Sequence, residues 1–420
     1  RSSDLMEILN FILGLGSTVM LPIIIFVFGL IMRAGFSKSF KSGVTIGIGF
    51  TGINLVITLL TDQLGPVAQA MTERLGLDLQ VIDIGWPAMS SISWAWAAAG
   101  LMIPIGLVIN FVMLTLKLTK TMNVDIWNYW QFAFVGYAVT TVSGSLPMGI
   151  IAASALSILA LILADYTQPF VEKFFGMPGI SFPHLTALGF LPLVVPLNWL
   201  IDKIPGLNKL NANPETIRKR FGIFGEPMSM GLIIGLALGL LGGQKIDAIL
   251  QLAITMAAVM YLMPKMVAIL MEGLIPISEA AREFMAKHFG DREIFIGLDA
   301  AVSLGEPSVI AVGLLLVPIT ILLAIVLPGN KLLPFADLAV IPFIVCLITA
   351  MSKGNVIRAL IVGTVVMACV LLMATNLAPI ETQMALTAGI KMPAGASQIG
   401  NLDRANLISW LFVKVFSLFG

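Results

Sequence analysis

The sequence predicts an all-α polytopic membrane protein of about eleven transmembrane helices, built as inverted five-helix repeats with two re-entrant hairpins. Three observations carry this. Charge is scarce: 11% of the residues are charged and 58% hydrophobic, with a mean hydropathy of +0.99. A soluble domain carries about 25% charge, because its surface must face water. Apolar runs long enough to cross about 30 Å of hydrocarbon recur along the whole chain. Finally, segments in the first half are echoed in the second.

The apolar segments fall at 8–32, 43–61, 86–116, 127–144, 146–165, 228–243, 249–272, 294–327, 335–351, 356–377 and 406–420. Those at 86–116 and 294–327 exceed one straight crossing, so each is expected to tilt, break or run into the interface. Segments 180–201 and 378–400 are interrupted by Pro and Gly and read as the two hairpins. Loop charge gives the orientation. Arg33, Lys38 and Lys41 form one basic cluster, and Lys117 and Lys120 a second. Lys203, Lys209, Arg218, Lys219 and Arg220 form a third, and Arg282, Lys287 and Arg292 a fourth. Keeping all of them cytoplasmic places the N-terminus outside. A loop at 62–80 then also lies outside, with Asp62, Glu73, Asp78 and Asp83 set against Arg74.

The echo runs as follows. Ile82-Asp83-Ile84-Gly85-Trp86 matches Ile294-Phe295-Ile296-Gly297-Leu298, and Asp125 in NVDIWN falls opposite Asp337 in FADLAV. Upstream, LGPVAQAMTERL is aligned with LMPKMVAILMEGL, pairing Pro66 with Pro264 and Glu73 with Glu272. Five spans per copy is an odd number, which turns the second copy upside down.

Some chemistries are excluded. A net charge of +1 leaves no basic field for nucleic acid. Cys346 and Cys369 lie in apolar runs without metal-ligand spacing and read as packing residues. There is no P-loop, Rossmann fingerprint or HExxH, so no cofactor, metal or catalytic residue is expected on this chain. Any driving force must come from an ion gradient or a partner protein.

Ionisable groups within hydrocarbon are costly, so those that stay there are candidates for binding a polar solute. Asp299 in IGLDAAVSLGEPS stands between Gly297 and Gly305, and Glu306 follows before Pro307. Glycine and proline there mark a helix broken at membrane depth, with freed backbone facing a polar cavity. The alternative is that Asp299 caps a helix at the interface. Glu226 in Gly225-Glu226-Pro227 repeats the motif beside a basic loop, and reads as a cap or a solvated acid. His184 sits at the Pro183 break and fits either a structural or a functional role, whereas His288 belongs to a charged loop. Asn128 and Gln131 are three apart and share a helix face. Turned inward they suit a neutral polyol, whose hydroxyls donate and accept, although amides also bond helix to helix. Trp127 and Trp130 share a face in the same way and fit an interfacial belt or sugar stacking. Trp86 opens the third span before Pro87, Thr51 and Asn54 are three apart on the second, and Gly43, Gly47 and Gly49 suit close helix packing.

In long, ordered stretches the chain resembles the galactitol-specific IIC components of the bacterial phosphotransferase system (PTS), within the ascorbate–galactitol superfamily. The stretches are TVMLPIIIF, GVTIGIGFTGINLVI, DIGWP, NVDIWN, RKRFGIFGEP, LQLAITMAAVM, IGLDAA, VLPGNKLLPFADLA and KGN, within residues 4 to 418. The resemblance implies a homodimer in a bacterial inner membrane. Each protomer would have a V-shaped scaffold domain, at 1–80 and 211–280. Its core domain, at 81–210 and 281–405, would carry galactitol by an elevator-like movement, with a C-terminal helix at 406–420. It also implies substrate contacts at Gln131, His184 and Asp299, although relatives often have histidine at the position of Gln131. Phosphoryl transfer to the incoming polyol would belong to separate IIB and IIA proteins, through a cysteine this chain does not supply. Relatives continue past the equivalent of Gly420 into another apolar segment and a basic tail. An ion-coupled carrier of a sugar alcohol is the alternative, and a membrane-embedded enzyme is disfavoured because no nucleophile–base pair is visible.

Overall fold

The computed structural model describes residues 17–31, 33–74, 81–123, 125–207, 223, 227–289, 292–334, 336–389 and 398–419. The side chains of Asn54, Trp127, Arg282, Lys287 and His288 lie outside that description, as do Lys209, Arg218, Lys219, Arg220 and Glu226 in their entirety.

The molecule is mostly helical. Its first half runs α1 (Ser17–Ile31), α2 (Phe36–Arg74), β1 (Val81–Asp83), α3 (Gly85–Trp94), α4 (Ala99–Thr115) and β2 (Thr121–Asn123). A 3-10 turn at Ile126–Tyr129 then leads into α5 (Trp130–Ser143), α6 (Leu146–Phe175), β3 (Ile180–Ser181), the one-turn α7 (Leu185–Leu188) and α8 (Leu191–Lys203). The second half runs α9 (Pro227–Leu241), α10 (Ile246–Phe289), β4 (Phe295–Gly297), a 3-10 helix at Ala300–Gly305, α11 (Pro307–Val326) and β5 (Leu332–Leu333). A second 3-10 helix at Ala336–Val340 precedes α12 (Ile341–Met351), α13 (Val356–Thr387), β6 (Gln398–Gly400) and α14 (Leu407–Phe416). Among the described residues, α6, α11 and α13 are long and apolar enough to cross a membrane, and shorter apolar helices lie at 105–115, 231–241, 246–262, 341–351 and 407–419.

The sequence expectations need three corrections. First, the fold is not purely helical. Among the described residues, six short strands form two three-stranded parallel sheets, β5-β1-β6 and β2-β4-β3. Their cause is the breaks in the long apolar segments: each break frees backbone N–H and C=O groups, which cost several kcal/mol apiece if left unpaired in a lipid-like interior. Strand pairing satisfies them. Second, 62–80 is not a loop throughout: α2 continues through Arg74, and Asp83 is 1% exposed at the end of β1 rather than solvated. Third, the described residues at the start of 378–400 do not form a hairpin. α13 runs unbroken through Pro379 to Thr387; proline is tolerated in such helices because neighbours re-satisfy the freed carbonyl. The broken segment comes later, with β6, the turn at Leu402–Arg404 and α14 reproducing the order of β3, α7 and α8.

The run at 86–116 breaks at residues 95–98, between α3 and α4. α10, at 44 residues, is about 66 Å long at 1.5 Å per residue, more than twice the hydrocarbon thickness. Its last turns carry Glu279 and Glu283, both exposed. α2, α9 and α10 pack along one another, and α1 lies on α2. Gly43 makes that last contact possible, since a Cβ there would stand 2.8 Å from the Pro22 carbonyl oxygen.

Candidate functional site: a polar cluster at the ends of three parallel strands

In each sheet the central strand belongs to one half of the chain and the outer strands to the other. β4 lies between β2 and β3, pairing Thr121 with Phe295 and Ile180 with Ile296. Parallel pairing brings the C-terminal ends of the three strands to one edge. From that edge β2 leads to Asp125 and Asn128, β3 to His184, and β4 to Asp299. The sheet is pinned from both sides. Asn110 of α4 donates to the Thr121 carbonyl at 2.8 Å and accepts from the Asn123 amide at 2.9 Å. Asp165 of α6 accepts from the Thr121 hydroxyl at 2.7 Å. Gly297 permits the close approach, since a Cβ there would lie 2.9 Å from the Met122 carbonyl oxygen and 2.7 Å from Pro183 Cγ.

Asn128 is the hub. Its Nδ2 donates to Asp125 Oδ2 at 2.5 Å and to Asp299 Oδ2 at 2.7 Å. Its Oδ1 lies 3.0 Å from His184 Nε2 and 3.3 Å from Gln131 Nε2. A carbonyl oxygen only accepts, so this arrangement puts the His184 proton on Nε2. Gln131 Oε1 accepts the Leu185 amide at 2.8 Å, fixing the start of α7, and its Nε2 reaches Thr186 Oγ1 at 3.4 Å. His184 Nε2 stands 3.7 Å from Asp299 Oδ2.

Both sequence readings of Asp299 hold, one on each oxygen. Oδ1 accepts from the Ala301 amide at 2.8 Å and caps the 3-10 helix, while Oδ2 joins the cluster. Exposure separates the members: Gln131 and Asn128 are buried, and the His184 side chain keeps 7% exposure against 20% for the Asp299 side chain. Asp299 is therefore the cluster's open acceptor, backed by an amide–imidazole–amide wall. Such a set offers charged and neutral acceptors beside N–H donors, the complement of hydroxyl groups.

The other sequence candidates lie elsewhere. Trp86 is half-exposed, and its backbone N–H donates to Asp337 Oδ1 at 2.7 Å, which places it at the other sheet. The Thr51 hydroxyl is turned back to the Gly47 carbonyl of its own helix at 2.8 Å. Glu306 caps α11, accepting from Ser308 Oγ at 3.0 Å and from the Ser308 amide. Trp130 is buried beneath Arg404. Sequence reading did not nominate Asp125, Thr186 or Arg404 as site residues. For Asp125 the signal was its place three residues before Asn128, on the same helical turn. Among the described residues, no three His, Cys, Asp or Glu side chains are grouped to hold a metal ion. Cys346 is buried and Cys369 half-buried, both free.

Residues 11–395, which include all four members of this cluster, match the family of PTS system sugar-specific permease components. The chain belongs to that family. Full-length relatives agree. A protein of Escherichia coli K12, provisionally named a permease IIC component, is 44% identical over 409 residues, spanning 97% of this chain and 94% of the relative. The galactitol-specific PTS EIIC components of E. coli K12 and O157:H7 are each 40% identical over 412 residues, spanning 98% of this chain and 91% of theirs. This permease is thus a multi-pass membrane protein of a sugar PTS.

Proposed function

We propose that this permease binds a linear polyol, galactitol or a close hexitol, at Asn128, Gln131, His184 and Asp299. It passes the polyol inward for phosphorylation by separate IIB and IIA proteins. The observation that carries this reading is the convergence of these four side chains at one strand edge from three distant parts of the chain. A neutral, hydroxyl-rich solute suits a site with one accessible carboxylate and several amide groups, and two relatives named for galactitol support the choice.

In the transport mechanism we propose, the two halves are inverted repeats. Helices, strands and 3-10 turns recur in order at a spacing of about 210 residues (17 to 227, 36 to 246, 130 to 341, 146 to 356), and each sheet exchanges strands between the halves. α1, α2, α9 and α10 serve as the scaffold and the dimer contact. The remainder, with both broken segments and α14, is the core that slides against it as one body. The basic residues of one end support the orientation: Lys120 pairs with Glu293 at 3.1 Å, and Arg292 donates to the Leu114 carbonyl at 2.9 Å. These bonds gather two basic loops at one end, which we assign to the cytoplasmic, IIB-facing side.

Calorimetric titration of the purified permease with galactitol and with its stereoisomers tests the substrate. Saturable binding of galactitol that weakens on inverting a single hydroxyl is expected. Equal or absent binding of all of them would remove the polyol reading.

A further inference from the structure

The turn after β6 holds a buried cation that the cluster does not include. Arg404 is fully enclosed. Its guanidinium lies over the Trp130 ring, 4.7 Å from the centroid. Its Nε and Nη2 reach Asp403 Oδ2 at 3.0 and 2.8 Å, and Nη2 donates to Thr186 Oγ1 at 2.7 Å. That hydroxyl also stands against Gln131 Nε2, and the next residue back, Leu185, donates its amide to Gln131 Oε1. One guanidinium therefore touches the chain neighbour of Gln131 on one side and the contact partner of its amide on the other.

The second sheet sets where Arg404 sits. Its amide donates to Asn401 Oδ1 at 2.7 Å, while Asn401 Nδ2 and the Asp403 amide donate to Asp337 Oδ2 at 2.6 and 3.1 Å. The Asp337 amide in turn donates to Asp83 Oδ2 at 2.7 Å. A second contact joins the two broken segments, with the Ile408 amide donating to the Gly189 carbonyl at 3.2 Å.

We propose that Arg404 is a positioning residue for polyol recognition. Anchored at the second sheet, it holds Thr186, and through Thr186 it holds Gln131 and the His184 turn in their binding arrangement. Hydroxyl selectivity then depends on a residue that does not touch substrate. The inference rests on the polyol reading above. Thr186 is 218 residues away in sequence, so this bond also makes the site answer to the position of the opposite half.

The choice of variants follows from the charges around Arg404. Asp403 lies beside it, Glu381 of α13 is within electrostatic reach, and Asp83 and Asp337 complete a buried acidic group. A neutral replacement would leave those carboxylates without this counter-charge and endanger folding. Arg404→Lys keeps the charge but loses the planar fork that spans Thr186 and Asp403 together. Thr186→Val keeps the shape and removes the hydroxyl, whereas Thr186→Ser retains it.

Galactitol and its single-hydroxyl-deleted analogues are titrated into purified wild type, R404K, T186V, T186S and the R404K/T186V double variant, with melting recorded for each. R404K and T186V should each weaken galactitol binding about three- to thirtyfold, flatten the discrimination among the analogues, and melt near wild type. The double variant should be no weaker than the worse single one, and T186S should match wild type. Undiminished discrimination in both single variants overturns the proposal, as do losses that multiply in the double. Should R404K not fold, intact selectivity in folded T186V overturns it as well. Wild-type protein that binds none of the polyols overturns the polyol reading and this proposal with it.

Discussion

Asp299→Asn isolates the charge of the cluster's open acceptor. Asp299 divides its oxygens between a cap on Ala301 and a bond from Asn128. An asparagine can keep the cap through its own oxygen, but its amide then faces the Asn128 amide, donor against donor. The variant therefore loses a charge-assisted bond to substrate and a partner for Asn128. A hydrogen bond to a charged group is worth about 1.5–3 kcal/mol, so galactitol affinity should fall about ten- to 150-fold. Capping alone predicts a different result: a stability loss of about 0.5–2 kcal/mol with affinity preserved in the folded protein. Titration calorimetry on purified, folded D299N separates the two, with D299A expected to bind no better. Wild-type affinity in D299N would refute the placement of substrate at Asp299.

Three further outcomes follow. Gly297→Ala inserts a Cβ against the Met122 backbone and Pro183, so β4 must separate from its neighbours. Thermal denaturation should show a loss of about 1–3 kcal/mol, and an unchanged melting temperature would contradict the close sheet packing. Arg358 of α13 binds Asn198 and Asp202 of α8, at 2.8 and 2.6 Å. Arg358→Met should free α8 and speed proteolysis near Lys203, and wild-type cleavage would deny that latch. Cysteine pairs placed between α10 and α11 should crosslink in different registers with and without substrate, and one unchanging register would argue against a sliding core.

The membrane class was legible because charge scarcity is a bulk property that no local detail can reverse. The cluster was legible in part. Asn128 and Gln131 share a face by helical spacing, and His184 and Asp299 each sit at a Pro- or Gly-marked break. Their meeting was not legible, since Asn128 and Asp299 are 171 residues apart and only strand exchange brings them together. Arg404 drew no reading from the sequence, since NLDRAN is a short polar stretch between apolar runs and burial by the opposite half cannot be seen locally. Asp83 misled for the same reason, as an acid near other acids that a strand then carried inside. Pro379 was read as a breaker, yet packed neighbours let α13 continue through it.

The most direct test of the account is transport by the permease reconstituted in sealed vesicles and supplied with labelled galactitol. A PTS permease should deliver galactitol phosphate to the cytoplasmic side only when IIA, IIB and phosphoenolpyruvate are all present, and should be indifferent to ion gradients. Accumulation of free galactitol driven by an ion gradient, with no need for those partners, would contradict it.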